Sequence, residues 1–271
     1  MLSRIISGVV LAVGILAVLL KTPSWGFGIV VGVAGLLSAN EYIRMARPNS
    51  TVGERLFFAV ICGLVVCWPL ITVVLPWYGH GSALTIGFLA IALARLSKPK
   101  PIETALNRLS LDVFGLAYVG LTFPLILLLR EQGSHGEWLV LLTMVITFAS
   151  DTGGYFAGRL LGRHKLYPAV SPKKTIEGAI GGIMGAIGGT FLMAHYVESL
   201  SFITPIHCVI LGGLGACFAI VGDLTESLMK RAFGVKDSGQ LIPGHGGMLD
   251  RIDGLLFCGP FVWLYLKVLG A

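Results

Sequence analysis

Charged side chains are scarce in this 271-residue sequence: 13% of its residues are Asp, Glu, Lys or Arg, while 55% are hydrophobic. The mean hydropathy is +0.84. Charged residues make up roughly a quarter of a typical soluble domain. The shortage therefore excludes an ordinary soluble domain and indicates an integral membrane protein.

The sequence also lacks paired cysteines. Its five cysteines show no C-x-x-C spacing, and each lies inside an apolar segment: Cys62, Cys67, Cys208, Cys217 and Cys258. This pattern favours small buried side chains over disulfides or zinc ligands.

Long apolar segments are what the sequence does have. A hydrocarbon core about 30 Å thick needs about 20 helical residues. The first segment is not followed by an A-x-A cleavage pattern, so we interpret it as a helix rather than a cleaved signal. We predict an all-α, polytopic membrane protein with about nine transmembrane helices, at 5–20, 25–43, 56–75, 82–96, 111–129, 138–155, 176–197, 205–228 and 252–269.

Loop charge predicts the orientation of these helices. Lys and Arg are concentrated in every second loop, at 44–55, 95–108, 159–174 and 230–251. By the positive-inside rule the amino terminus is cytoplasmic, the carboxyl terminus is external, and an active site would lie at cytoplasmic helix ends. This scheme requires the short segment 82–96 to be a span, and it leaves Lys21 on the external side.

The formal net charge of +6 also bears on partners. The basic residues are divided among short loops rather than gathered on one face, which favours anionic lipids or phosphates over nucleic acid. We divide the chain into amino-terminal helices, 1–130, and a carboxyl-terminal catalytic region, 131–271.

The sixth apolar segment ends in a polar motif, A-S-D-T-G-G-Y, that contains Asp151 and Tyr155. A carboxylate at mid-bilayer costs roughly 2.5 to 3.5 kcal/mol on insertion scales, so we expect Asp151 to line a polar cavity. Tyr155, four residues later, would share its helical face. The alternative is an interfacial helix end where Asp151 meets water.

Two adjacent lysines, Lys173 and Lys174, end the loop 162–178 just before another apolar segment. With the free N–H groups of a helix that begins near Thr175, they could converge on one phosphate. Thr175 or Ser171 would cap this helix, and Glu177 suits its first turn. The lysines could instead serve only as the topogenic signal of the loop.

Carboxylates recur at two later helix ends. Four polar residues form one stripe at the end of the eighth segment, and two aspartates repeat the i, i+3 spacing at the start of the ninth: Asp223, Glu226, Ser227 and Lys230, then Asp250 and Asp253. Such carboxylates beside cations suit Mg²⁺ that bridges nucleotide phosphates. They would equally suit structural ion pairs.

From Ser227 to Asp253 the sequence reads S-x-x-K-R-x4-K-D-x5-P-G-H-G-G-x-x-D-R-x-D. This string resembles the signature of the bacterial phosphatidate cytidylyltransferases, also called CDP-diacylglycerol synthases. The motifs around Asp151 and Lys173 agree with the same family. The first 130 residues carry no recognisable motif and match the family only in their apolar helical character.

The resemblance implies a Mg²⁺-dependent reaction of CTP with phosphatidic acid, which gives CDP-diacylglycerol and pyrophosphate at the cytoplasmic face of the bacterial inner membrane. It assigns the metal to Asp223 and Asp250, and leaves open whether a second ion joins it. His245 would donate a hydrogen bond to the leaving pyrophosphate. The remaining residues would support the metal, hold phosphates or line the site: Asp253, Glu226, Lys173, Lys174, Lys230, Arg231, Arg251, Ser171, Ser227, Asp151, Tyr155 and Glu177.

Two other functions remain open. A cytidylyltransferase for an isoprenoid lipid would use similar head-group chemistry, and turnover with the two lipids distinguishes them. A secondary transporter of an anionic substrate would also place charges in a membrane domain, and flux without nucleotide turnover would identify it. The sequence leaves the oligomeric state open, a homodimer included.

Overall fold

The computed structural model of this chain describes residues 2–239, 241 and 246–270, with side chains described from residue 12 onward. Its apolar segments form helices α1 (Leu2–Lys21), α2 (Ser24–Ala46), α3 (Val52–Val66), α4 (Trp68–Ile71), α5 (His80–Leu96), α6 (Ala105–Arg130), α7 (Gly136–Leu161), α8 (Ile176–Tyr196), α9 (Pro205–Ala232), α10 (Leu249–Ile252) and α11 (Leu255–Leu269). Short 3-10 turns lie at Ile102–Thr104, Gly133–His135 and Glu198–Leu200. The prediction of an all-α membrane protein is confirmed.

Five helical stretches of the described chain are long and apolar enough to cross a membrane: Ser24–Ala46, Ile102–Arg130, Gly133–Leu161, Ile176–Tyr196 and Pro205–Ala232. Shorter apolar helices occupy Ala12–Lys21, His80–Leu96 and Leu255–Leu269. The predicted span 56–75 is broken, because α3 ends at Val66 and the short helix α4 follows, with Pro69 in its first turn. Nine spans therefore stay a prediction.

One part of the predicted all-helical chain is a β-hairpin. Strands β1 (Lys165–Tyr167) and β2 (Ser171–Thr175) pair antiparallel within the predicted loop 162–178. Val170 donates its backbone N–H to the Tyr167 carbonyl at 3.3 Å and closes the turn between the strands. The pairing of the two strands satisfies backbone N–H and C=O groups locally.

The chain forms two compact units. Unit 1 contains Met1–Leu127 together with Val235–Arg251, and unit 2 contains Leu128–Gly234 together with Ile252–Ala271. We call Val235–Arg251 the signature loop. It folds with the amino-terminal helices, whereas the sequence division at residue 130 assigns it to the carboxyl-terminal region.

Unit 1 holds a cluster of four charges, of which three are buried and Glu54 is partly exposed. Asp112 of α6 is fully buried, and its carboxylate contacts the guanidinium groups of Arg47 at 3.2 Å and Arg95 at 2.5 Å. The same two arginines contact Glu54 of α3 at 3.3 Å and 3.2 Å. Each cation thus meets both carboxylates, which offsets the cost of removing four charges from water.

Unit 2 is built on the close approach of α7 and α8, with α9 and α11 packed against them. Small residues face each other along the contact between α7 and α8. A Cβ on Gly185 would lie 2.9 Å from the Ala149 carbonyl oxygen, and one on Gly178 would lie 3.0 Å from that of Gly154. Glycine at these positions lets the two backbones touch, as is typical of membrane helices.

Candidate active site

A cavity of about 470 Å³ lies in unit 2. Its walls come from α7, the β-hairpin, the first turn of α8, and Ile220 and Asp223 of α9. Six of its fourteen lining residues are apolar or glycine, two carry hydroxyl groups, and six are charged or phenolic: Asp151, Tyr155, Arg159, Lys173, Lys174 and Asp223. The structure therefore brings together residues that the sequence places in three separate motifs. Asp151 lines this cavity with an exposed side chain, and its place in a polar cavity rather than at an interfacial helix end stays a prediction.

Lys174 provides the principal ion pair of the cavity. Its ammonium nitrogen lies 2.6 Å from Oδ2 of Asp223, and both side chains are partly exposed, at 24% and 30%. Lys173 precedes it on β2, lines the same cavity and is exposed. A cavity that holds two ammonium groups next to a carboxylate can bind phosphate and a cation together.

The hairpin is held in place by contacts with the first turn of α8. Thr175 caps this helix, and its hydroxyl accepts the Gly178 N–H at 3.1 Å, which confirms the predicted cap. The Glu177 carboxylate accepts the backbone N–H groups of Arg163 at 3.1 Å and His164 at 3.2 Å. Glu177 therefore orients the hairpin that carries the two lysines, a role that its charge pattern alone did not reveal.

Arg159 is a cavity residue that sequence reasoning missed. Its Nη1 donates to the Tyr155 hydroxyl at 2.7 Å, and its guanidinium carbon lies 6.0 Å from the centre of the Tyr155 ring. The signal was present, because Arg159 follows Tyr155 by four residues and Asp151 by eight on one helix. It was assigned only to the basic loop that begins there.

Asp253 lies near two other carboxylates of this region, Asp223 and Asp151. Asp253 lies between α10 and α11; its burial and the nearby Asp223 carboxylate raise its pKa to about 7, and Asp151 acts in the same direction. The described residues contain no cluster of three or more His, Cys, Asp or Glu side chains around one metal position. Mg²⁺ is generally held by one or two carboxylates, waters and substrate phosphates, so Asp223 with Asp253 close by fits it without such a cluster.

The polar stripe of α9 forms as predicted. Ser227 donates its hydroxyl to Asp223 Oδ1 at 3.2 Å, and Lys230 forms an ion pair with the fully buried Glu226. Arg231 donates to the Val170 carbonyl at 3.5 Å, a contact with the hairpin turn. The stripe thus supports the position of Asp223, whereas Glu226 and Lys230 neutralise each other.

The signature loop of unit 1 holds Asp250 by its side chain. Oδ2 of Asp250 accepts the Ser238 N–H at 2.9 Å, the Ser238 hydroxyl at 2.8 Å and the Gly247 N–H at 2.8 Å. Arg251 is exposed. His245 lies outside the described residues. Asp223 and Asp250 belong to different units, and their shared metal stays a prediction.

Comparison with known proteins identifies the family. The sequence matches the cytidylyltransferase family over residues 2–269. The chain belongs to this family. It is 34% identical over 241 residues to a phosphatidate cytidylyltransferase of Brucella suis, covering 89% of this chain and 84% of that protein. It is 33% identical over 248 residues to a phosphatidate cytidylyltransferase of Staphylococcus aureus, covering 87% of this chain and 90% of that protein. The match spans both units, the motif-free amino-terminal helices included.

Proposed function

We propose that the cavity of unit 2 is the phosphate-binding site of a phosphatidate cytidylyltransferase. The enzyme transfers the cytidylyl group of CTP to phosphatidic acid, and its products are CDP-diacylglycerol and pyrophosphate. The observation that carries the assignment is the ion pair of Lys174 with Asp223 inside a cavity that also holds Lys173 and Arg159.

The reaction needs no nucleophile from the protein. An oxygen of the phosphatidate monoester forms a bond to the α-phosphorus of CTP, and the bond from that phosphorus to the bridging oxygen of the β-phosphate breaks. Pyrophosphate leaves with the electron pair. The task of the protein is to position two anions and neutralise their charge.

Different residues of the cavity bind the phosphates and the cation. Lys173 and Lys174 stand on β2, at the start of α8, where ammonium groups and a helix amino terminus favour phosphate. Arg159 adds a third cation, oriented by the Tyr155 hydroxyl. When CTP enters, its phosphates compete with Asp223 for Lys174, so that the carboxylate becomes available to a divalent cation.

We assign Mg²⁺ to Asp223, with Asp253 as its neighbour and Asp250 as the second ligand predicted from the sequence. Once bound, the cation would offset the charge that accumulates between the two phosphate-bearing reactants. Support comes from the nearness of Asp253 to Asp223, since neighbouring carboxylates that repel each other favour a cation between them. Mg²⁺ withdrawal with EDTA should abolish turnover, and Mg²⁺ but not Na⁺ should restore it.

We also propose that the enzyme lies in the bacterial inner membrane with this cavity on the cytoplasmic side, where CTP is available. The charge of the loop 159–174 supports this orientation. Single cysteines at Glu198 and Lys236 should be labelled from opposite sides of intact membranes. Labelling of both from one side would overturn the topology.

The function is tested with purified protein in detergent. CTP and phosphatidate should give equal amounts of pyrophosphate and CDP-diacylglycerol, whereas an isoprenoid monophosphate should give neither. Pyrophosphate release only with the isoprenoid lipid would transfer the assignment to that substrate. Light scattering on the same sample tests for a homodimer.

A further inference from the structure

Glu41 is a buried carboxylate in the part of the chain that carries no motif. It lies near the end of α2, one of the helices apolar and long enough to cross a membrane, and only 6% of its surface is exposed. A carboxylate in such surroundings is costly unless its oxygens accept hydrogen bonds.

The hydrogen bonds to Glu41 come from the signature loop. Met248 donates its backbone N–H to Oε1 at 2.9 Å, and Leu249 donates its own to Oε2 at 3.0 Å. The Ser238 hydroxyl lies 3.1 Å from Oε2. One carboxylate therefore holds the loop at both ends, at Ser238 and at Met248–Leu249.

Two glycines of the loop make this approach possible. A Cβ on Gly239 would lie 2.7 Å from Oε1 of Glu41, and one on Gly247 would lie 2.5 Å from Oε2 of Glu41 and closer still to Oγ of Ser238. All three distances are shorter than real side chains tolerate. The glycines at these two positions are thus explained by the carboxylate of α2 and not by the loop alone.

Ser238 connects Glu41 to a residue of the signature. Its hydroxyl is within hydrogen-bond distance of both Glu41 Oε2 at 3.1 Å and Asp250 Oδ2 at 2.8 Å. The single hydroxyl proton serves only one acceptor at a time, and its backbone N–H also reaches Asp250, at 2.9 Å. A movement of the loop away from Glu41 would therefore displace the donors that orient Asp250.

We infer that Glu41 is a positioning residue of the cytidylyl transfer, which fixes the signature loop and thereby the Asp250 carboxylate. The inference rests on the proposed function, because Asp250 matters to turnover only in that reaction. It gives a helix of the amino-terminal half of the chain an indirect part in turnover, through Asp250.

Hydrogen exchange tests the anchoring without any substrate. Glu41→Gln keeps one acceptor oxygen but replaces the other with an amide N–H₂ group, which cannot accept a hydrogen bond from a backbone N–H. Peptides that cover 246–250 should exchange roughly fivefold faster, as expected for the loss of one hydrogen bond. Peptides from α3 should keep their rates. Glu103→Gln, an exposed acid of the same unit, is the control and should change neither.

Kinetics on the same samples test the positioning. Glu41→Gln should lower kcat by roughly 10- to 100-fold, the effect of a misplaced reacting group. KM for CTP and for phosphatidate should stay within about threefold, because the cavity of unit 2 is unaltered. A change that merely weakened folding would lower the active fraction, not produce this combination with fast loop exchange.

Gly247→Ala tests the same contact between Glu41 and the signature loop by a change in the loop, and it leaves the sequence of α2 unaltered. It should reproduce both effects, while Gly53→Ala, whose Cβ would meet nothing within 4 Å, should match the wild type. Unchanged exchange at 246–250 in both Glu41→Gln and Gly247→Ala would overturn the anchoring. Fast exchange with kcat within about threefold of wild type would overturn the positioning. An inactive wild type with the expected exchange pattern would count against the proposed function instead.

Discussion

The buried acids of unit 1 and the cations that line the cavity of unit 2 differ in what they contact. In unit 1, Asp112 and Glu41 are both buried. Asp112 forms ion pairs with arginines of the same unit, and Glu41 accepts hydrogen bonds from backbone N–H groups of the same unit. In unit 2, Lys173, Lys174 and Arg159 line a cavity. The first set is buried in an apolar chain, where an unpaired charge is costly, whereas Lys173 and Arg159 of the second set are exposed.

This contrast distinguishes charges that stabilise the fold from charges that bind a ligand. A buried ion pair whose members satisfy each other leaves no capacity for substrate. A cation that lines a cavity next to a carboxylate can exchange that partner for a phosphate. Substitutions in the ion-pair cluster around Asp112 should therefore lower stability, and substitutions of the cations that line the cavity of unit 2 should lower turnover of a stable protein.

The largest effect on turnover is expected for Asp223→Asn. This change removes the charge that pairs with Lys174 and that we assign to Mg²⁺, so the rate should fall roughly 100-fold or more. The Mg²⁺ concentration for half-maximal rate should rise. Initial rates measured against Mg²⁺ concentration test this, with Glu198→Gln as the control, an exposed acid of the same unit. Wild-type rates with unaltered Mg²⁺ dependence would remove Asp223 from the site.

A smaller loss is expected for Lys174→Gln, at roughly tenfold to 100-fold, because a neutral amide still fills the space but no longer attracts phosphate. Lys165→Gln, on the neighbouring strand β1, is the matched control and should stay near wild type. Correct insertion of both variants is checked by labelling. If the two variants were equally active, the lysine pair would be only a topogenic signal.

Arg159→Gln should have a moderate effect on binding. An exposed contact of this kind is worth about 1 kcal/mol, which corresponds to roughly a fivefold rise in KM. Tyr155→Phe should give part of this effect, since it removes the hydroxyl that accepts from Arg159. Steady-state kinetics against CTP and against phosphatidate will show which substrate the pair serves, with Arg163→Gln as the control. An unchanged KM for both substrates would contradict the assignment.

The smallest effect on turnover is expected for Asp112→Asn, although its effect on stability should be large. The change leaves two buried arginines facing one remaining carboxylate, which should cost about 3 kcal/mol or more of folding free energy. The rate per folded molecule should stay within about twofold of wild type. Unfolding in denaturing detergent measures the first quantity, and activity normalised to folded protein measures the second.

Local signals in the sequence predicted much of unit 2. Apolar length predicted its helices, and the i, i+3, i+4 spacing placed Asp223, Ser227 and Lys230 on one face. Capping chemistry predicted the role of Thr175. The hairpin was missed because Lys173 and Lys174 give its second strand the composition of a charged loop.

The sequence was less informative about unit 1, where the important contacts join distant positions. Glu41 meets Leu249 across more than 200 residues, and Arg47 meets Asp112 across 65. No periodicity or spacing rule connects such pairs. Arg47 and Arg95 were predicted to be topogenic loop charges, yet both lie in the buried cluster. The one sequence signal for the role of Glu41 is its place as the lone acid of an apolar helix.

The most direct test measures Asp223→Asn and Asp112→Asn side by side, with the rate of CDP-diacylglycerol formation per folded molecule and the resistance to unfolding taken on the same samples. We expect opposite outcomes: Asp223→Asn is stable but roughly 100-fold slower, and Asp112→Asn is unstable but nearly as fast as wild type. Equal losses of rate and stability in both variants would contradict the division between charges that stabilise the fold and charges that bind a ligand.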